Sequence, residues 1–279
     1  HQQAAAVADR YGSVRQTYSD WKTRTDRALA VYAGELPVVW PDKSVSTGLP
    51  KVPNLVQIAA DDRSRLIASA TPSLMVPPLS GRDKAKQEAE RREHILTGYW
   101  DRNRMKTLTS RWGHDLMFSG LSAVRVLADT DKPKDERFPL YQRLAPRWCY
   151  PSPMFAQGPW VDDMLVVYEE QWADVARKFK AEVSSGALLK KDLKGKDRVR
   201  VIQFYDNTDF GVLCTLPGAR KDPGDPRASG ELWLIEPTKH GLKHCPVLIG
   251  TRATPDGIYR GEFDNALALM HVWNRLVTM

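Results

Sequence analysis

The sequence predicts an α+β fold with helices first, a strand-rich part holding one further helix, and a closing helix. Three observations carry this. Apolar residues recur every three to four positions up to about residue 119; the period falls to two beyond Gly120; and helical runs precede strand runs instead of alternating with them. With 279 residues, 42% of them hydrophobic, the chain can bury a substantial core, and its length suits one large domain or two smaller ones.

The elements follow in order. Tyr11, Val14, Tyr18, Trp21, Thr25, Ala28 and Tyr32 share one face of a helix over 9–33. Six Pro and Gly residues make 34–53 an extended loop with at most a short strand at Val38-Val39-Trp40. Asn54 caps a helix reaching about Ala70, Thr71-Pro72 stops it, and Ser73 to Pro78 reads as a short edge strand. Ala85, Ala89, Leu96 and Tyr99 form one apolar stripe, and Met105, Leu108, Trp112 and Leu116 another. Two helices broken near Asn103 are therefore expected between Asp83 and Ser119.

Ala123 to Leu127 then predicts a strand, with Pro139 to Pro146 as its hairpin partner and the charged 129–137 run as the turn. Four prolines hold a rigid loop carrying Trp148, Tyr150, Phe155 and Trp160. Strands are expected at 164–169, 199–205, 210–216, 231–235 and 246–249, a helix at 172–183, and a mobile hairpin tip at 218–230. The last helix, from Glu262 to Met279, is apolar around nearly its whole circumference. Such a helix must be covered on all sides, by further chain or by neighbouring subunits. These elements divide the chain into 1–120, 121–250 and 251–279.

No stretch approaches the roughly 18 to 20 apolar residues of a membrane span, and the first residues lack the basic and apolar regions of a signal peptide. The chain is thus expected to be soluble and made in the cytoplasm, with both termini read as cut edges. Cys149, Cys214 and Cys245 are too few and too scattered for a disulfide framework or a CxxC zinc site, so they read as buried apolar fillers in a reducing compartment.

The sequence contains no GxxxxGK[ST], no GxGxxG after a strand, no HExxH and no GxSxG. No catalytic residue and no cofactor is therefore expected. His240, His244 and Cys245 come nearest to a metal cluster, but Gly241 and Pro246 interrupt the helix that would put both imidazoles on one face. A loop leading into a strand is the plainer reading, and a metal-dependent hydrolase is kept as an alternative. Asp61-Asp62, Asp162-Asp163 and Glu169-Glu170 are adjacent carboxylates whose side chains diverge, so each reads as a helix start or solvated edge. His94 and His114 have no partner at helical spacing and read as surface or packing residues.

The net charge of +7 points weakly to an anionic partner. Between Arg177 and Arg200 nine cations face three anions, and this accounts for most of the excess. Lys190, Lys191, Lys194, Lys196, Arg198 and Arg200 form a possible phosphate-facing patch. Two readings stand side by side: a nucleic-acid-binding module without sequence preference, and a solvated helix-plus-loop surface, since the aromatic interleaving of single-strand binders is absent.

Several segments, in order, resemble portal proteins of tailed phages. They are the 52–66 helix (VPNLVQIAADDRSRL), the Trp112-to-Val126 helix-to-strand step, the 144–153 loop (LAPRWCYPSP) and Phe204-Tyr205-Asp206. The strongest is the end, where Cys245-Pro246-Val247-Leu248-Ile249-Gly250 is followed by the Gly261-to-Leu276 stretch with its acidic start and Asn274. The resemblance spans roughly residues 50 to 279 and implies a helical part packed on a strand-rich wing domain, ending in an apolar stem-type helix. It further implies a homo-oligomeric ring, typically dodecameric, at the capsid portal vertex of the virion, with double-stranded DNA in the channel. The implied partners are the major capsid protein, terminase and head-completion or adaptor proteins. Phe263, Leu267, Met270, Trp273 and Asn274 are then expected at the subunit interface. The clip, tunnel loop and crown of that family lie beyond such a helix.

Overall fold

The computed structural model describes residues 2–35, 38–39, 45–46, 54–70, 74–128, 133, 136–179, 194–215, 231–252, 254–267 and 269. It is an α+β protein in two compact units, each built from two separate stretches of chain. The first holds residues 1–22 and 144–249; the second holds 23–143 and 250–279.

In the first unit β5 (Cys149–Ser152), β6 (Asp163–Gln171), β7 (Arg198–Tyr205), β8 (Asp209–Thr215) and β9 (Glu231–Lys239) form an antiparallel meander in chain order. Leu165 pairs with Phe204 and Gln203 with Val212, which fixes the two faces. On one face Val199, Val201, Val212 and Cys214 bury Val175 of α6 (Trp172–Lys178). The other lies under α1 (Gln2–Thr17), whose Arg10 pairs with Asp163 and whose Tyr11 ring meets Tyr150 edge-on at 5.4 Å. Covered on both sides, the middle of β6 is a run of four buried residues, Met164 to Val167, and does not alternate.

The single helix expected over 9–33 is interrupted at Tyr18, after which α2 spans Ser19–Tyr32. The Ser19 hydroxyl donates to the Gln16 carbonyl at 2.8 Å, a local bond that competes with the helical ladder. Tyr18 is fully buried there. Its hydroxyl donates to Pro151 O (3.1 Å) and accepts from the Phe155 amide (2.9 Å), and burial pushes its pKa up to about 12. Tyr18 thus ties together two points of the proline-rich aromatic loop, and Lys22 donates to a third, the Arg147 carbonyl.

In the second unit Val38–Val39 (β1) pairs with Val45–Ser46 (β2). α3 spans Leu55–Ser69, and Asn54 caps it by accepting from the Gln57 amide at 3.1 Å. α4 (Asp83–Arg102) and α5 (Met105–Ser119) break at Asn103, as the stripes predict. Ser64 and Gly113 let α3 and α5 approach closely: a Cβ on Gly113 would lie 3.4 Å from Ser64 Cα. β3 (Leu121–Ala128) pairs with β4 (Pro139–Leu144), and β10 (Val247–Thr251) joins β3 on its other side. The edge strand expected at 73–78 does not form in its described part, 74–78, because Pro77 and Pro78 remove two donors. Val76 to Leu79 line a small cavity of about 40 Å³ together with Ala85, Glu88, Ala89 and Arg92 of α4. The 218–230 tip and most of the 129–137 turn lie outside the described residues.

Candidate functional site

Of the segments that carry the strongest resemblance, Gly250 and the stretch from Gly261 on belong to the second unit. Ser122 Oγ donates to Gly250 O (3.3 Å), and the Arg252 amide donates to Gly120 O (3.0 Å). The chain then returns across the C-terminus of α5, where the Glu262 amide donates to Met117 O at 2.7 Å. Two glycines permit this. Gly120 has φ +71, and a Cβ there would lie 2.4 Å from Arg260 O; one on Gly261 would lie 2.6 Å from Phe118 O.

Charged side chains close the crossing. The Glu262 carboxylate takes Arg63 of α3 and Arg252, both at 3.1 Å, while Asp264 faces Arg24 at 3.5 Å. Arg252 also donates to Gly261 O at 3.0 Å. Burial raises the Asp264 pKa above the usual carboxylate value, although Arg24 opposes it. The clamp contains no nucleophile beside a base. Its chemistry is positional: it holds 250–264 onto α3 and α5.

Phe263 and Leu267 were expected to face neighbouring subunits, yet they are 8% and 5% exposed and pack with Ala28, Val31, Val56, Ala60 and Phe118. Residues 262–266 form turns, and Leu267, whose amide donates to Phe263 O at 2.9 Å, is helical. Met270, Trp273 and Asn274 lie outside the described residues, as does nearly all of the expected last helix.

The basic patch divides. Lys194, Lys196 and Arg198 are exposed on the approach to β7. Arg200, partly exposed, has its guanidinium 5.4 Å from the Tyr11 ring centre and 3.7 Å from Glu169. Strand alternation puts Arg200 on the covered face, a point that charge counting misses. Lys190 and Lys191 lie outside the described residues.

His240, His244 and Cys245 do not converge. His240 uses both ring nitrogens on backbone: Nδ1 accepts from the Leu242 amide (3.1 Å), which leaves Nε2 to donate to Asp206 O (2.9 Å). His244 lies 5.0 Å from the Trp160 ring, and the buried Cys245 thiol has its pKa pushed up to about 12. Among the described residues no group of three His, Cys, Asp or Glu side chains is arranged to hold a metal. All three cysteines are buried and unbridged.

Other groups have partners that spacing along one helix does not reveal. His114 lies 3.4 Å from Asp61 of α3, which also accepts from Tyr32 Oη at 2.9 Å. Burial lowers the His114 pKa, and Asp61 offsets part of that. Asp115, also on α5, makes a two-pronged pair with Arg143 at 2.5 and 2.6 Å. Asp163 is held by Arg10, and Glu170 lies 3.8 Å from Lys178. Among the described residues no helix is long and apolar enough to cross a membrane.

No family model matches this chain, and no curated protein matches it.

Proposed function

We propose that this chain is a structural subunit of a tailed-phage portal ring, placed at the capsid vertex, through which double-stranded DNA is packaged and ejected. It carries out no catalysis and holds no cofactor. Its partners are other copies of itself, the DNA in the channel, the major capsid protein, terminase and the head-completion or adaptor proteins. One observation carries the reading: the ordered series of segments that ends in the Cys245-to-Gly250 strand, the small-residue turn and the acidic Glu262-to-Asp264 stretch. The arginine–carboxylate clamp supports it, since a ring that transmits force needs its closing segment fixed to the body.

Mass photometry and negative-stain imaging of the purified chain test this. Closed rings of about a dozen copies are expected. Only monomers or dimers at micromolar concentration, at both low and high salt, would overturn the proposal.

A further inference from the structure

α4 is a 20-residue helix with a single buried residue, Ala89. Two grooves run along it. One, of about 640 Å³, begins at Ser80; the other, of about 970 Å³, extends to Arg102; both are open to solvent and adjoin at Gln87 and Arg91. At 1.5 Å rise per residue the stretch from Lys84 to Arg102 is roughly 27 Å long.

Charge sets the sign of the occupant. Across both grooves six cations face three carboxylates, an excess of three, and one of those carboxylates, Glu88, is already held by Arg92 at 3.1 Å. The rest of the lining includes Gln87, His94, Tyr99 and Ile95, and the alkyl stems of the arginines and of Lys84 give the wall about as much apolar as polar surface. A phosphodiester backbone needs cations spread along a trough, and Arg suits phosphate through paired donors.

Gly98 is the second observation. It lies inside the helix at the wall of the wider groove, and a Cβ there would meet nothing within 4 Å. Packing does not require a glycine at this position, and one weakens a helix interior. What it provides is close approach of a ligand to the helix backbone.

We propose that these α4 grooves are a docking surface for the phosphate backbone of double-stranded DNA, distinct from the Lys194–Arg198 surface. The proposal does not depend on ring formation, so mass photometry of the same samples reads the portal assignment separately. The test is fluorescence anisotropy of a labelled 30-base-pair duplex with the full chain across a salt series. The double variant Lys84→Glu/Arg91→Glu is expected to bind at least about tenfold more weakly, with the log–log salt slope reduced by about 2. Gly98→Leu should also weaken binding while its melting temperature holds or rises, which separates docking from folding. Unchanged affinity and slope in both variants would overturn the proposal. So would a loss confined to Lys194→Glu/Lys196→Glu, or competition by polyglutamate as effective as by unlabelled duplex.

Discussion

Gly120 concentrates two demands in one residue. Its φ of +71 belongs to the left-handed region, and the space where a Cβ would stand is filled by the Arg260 backbone at 2.4 to 2.7 Å. Backbone cannot swing aside as a side-chain tip does, so Gly120→Ala should cost about 3 kcal/mol or more, from strain and clash together. Thermal denaturation followed by circular dichroism checks this, and an unchanged midpoint would refute it. The sequence marks Gly120 as the point where the apolar period changes, but the reason lies 140 residues away, in a segment that crosses it. Arg63 and Arg200 teach the same lesson. Each is one basic residue among 41 Lys and Arg, and only the fold makes one a clamp on Glu262 and the other a neighbour of Tyr11 and Glu169.

At the scale of elements the sequence is most legible where a period and a stop signal agree. Asn54, the break at Asn103 and four of the five strands of the meander, β6 to β9, are visible in the residues, whereas β5 falls where the prolines read as a rigid loop. It misleads where composition outruns context. Phe263 and Leu267 belong to an apolar run that reads as one continuous helix; turns occupy 262–266, Leu267 is helical, and both side chains lie in the core formed with α2, α3 and α5. The consequence is measurable. Leu267→Asp puts an unpaired charge among apolar side chains, at a cost of several kcal/mol. The expected result is a fall in melting temperature of more than about 10 °C before any effect on assembly. A variant that melts normally but no longer assembles would return Leu267 to a subunit interface.

At the scale of the molecule, neither unit is made of one continuous stretch of chain. The sequence reading divides the chain at 120 and 250, because composition changes there. The contacts divide it near 22, 143 and 249, because α1 belongs with the meander. A fragment of residues 144–249 alone should therefore expose the sheet face that α1 covers and be less soluble than the same fragment with residues 1–22 supplied as a separate peptide. Sedimentation of the two samples decides this, and equal solubility would show that α1 adds little. The placement of α1 also sets a schedule for biosynthesis. At about 5–20 residues per second a ribosome finishes α1 tens of seconds before it completes β9, so the helix must wait in water for the surface it will cover. Its composition suits that delay: Gln2–Thr17 is mostly alanine, polar and charged residues, with Tyr11 its one aromatic side chain, so the waiting segment offers little for a premature partner to hold.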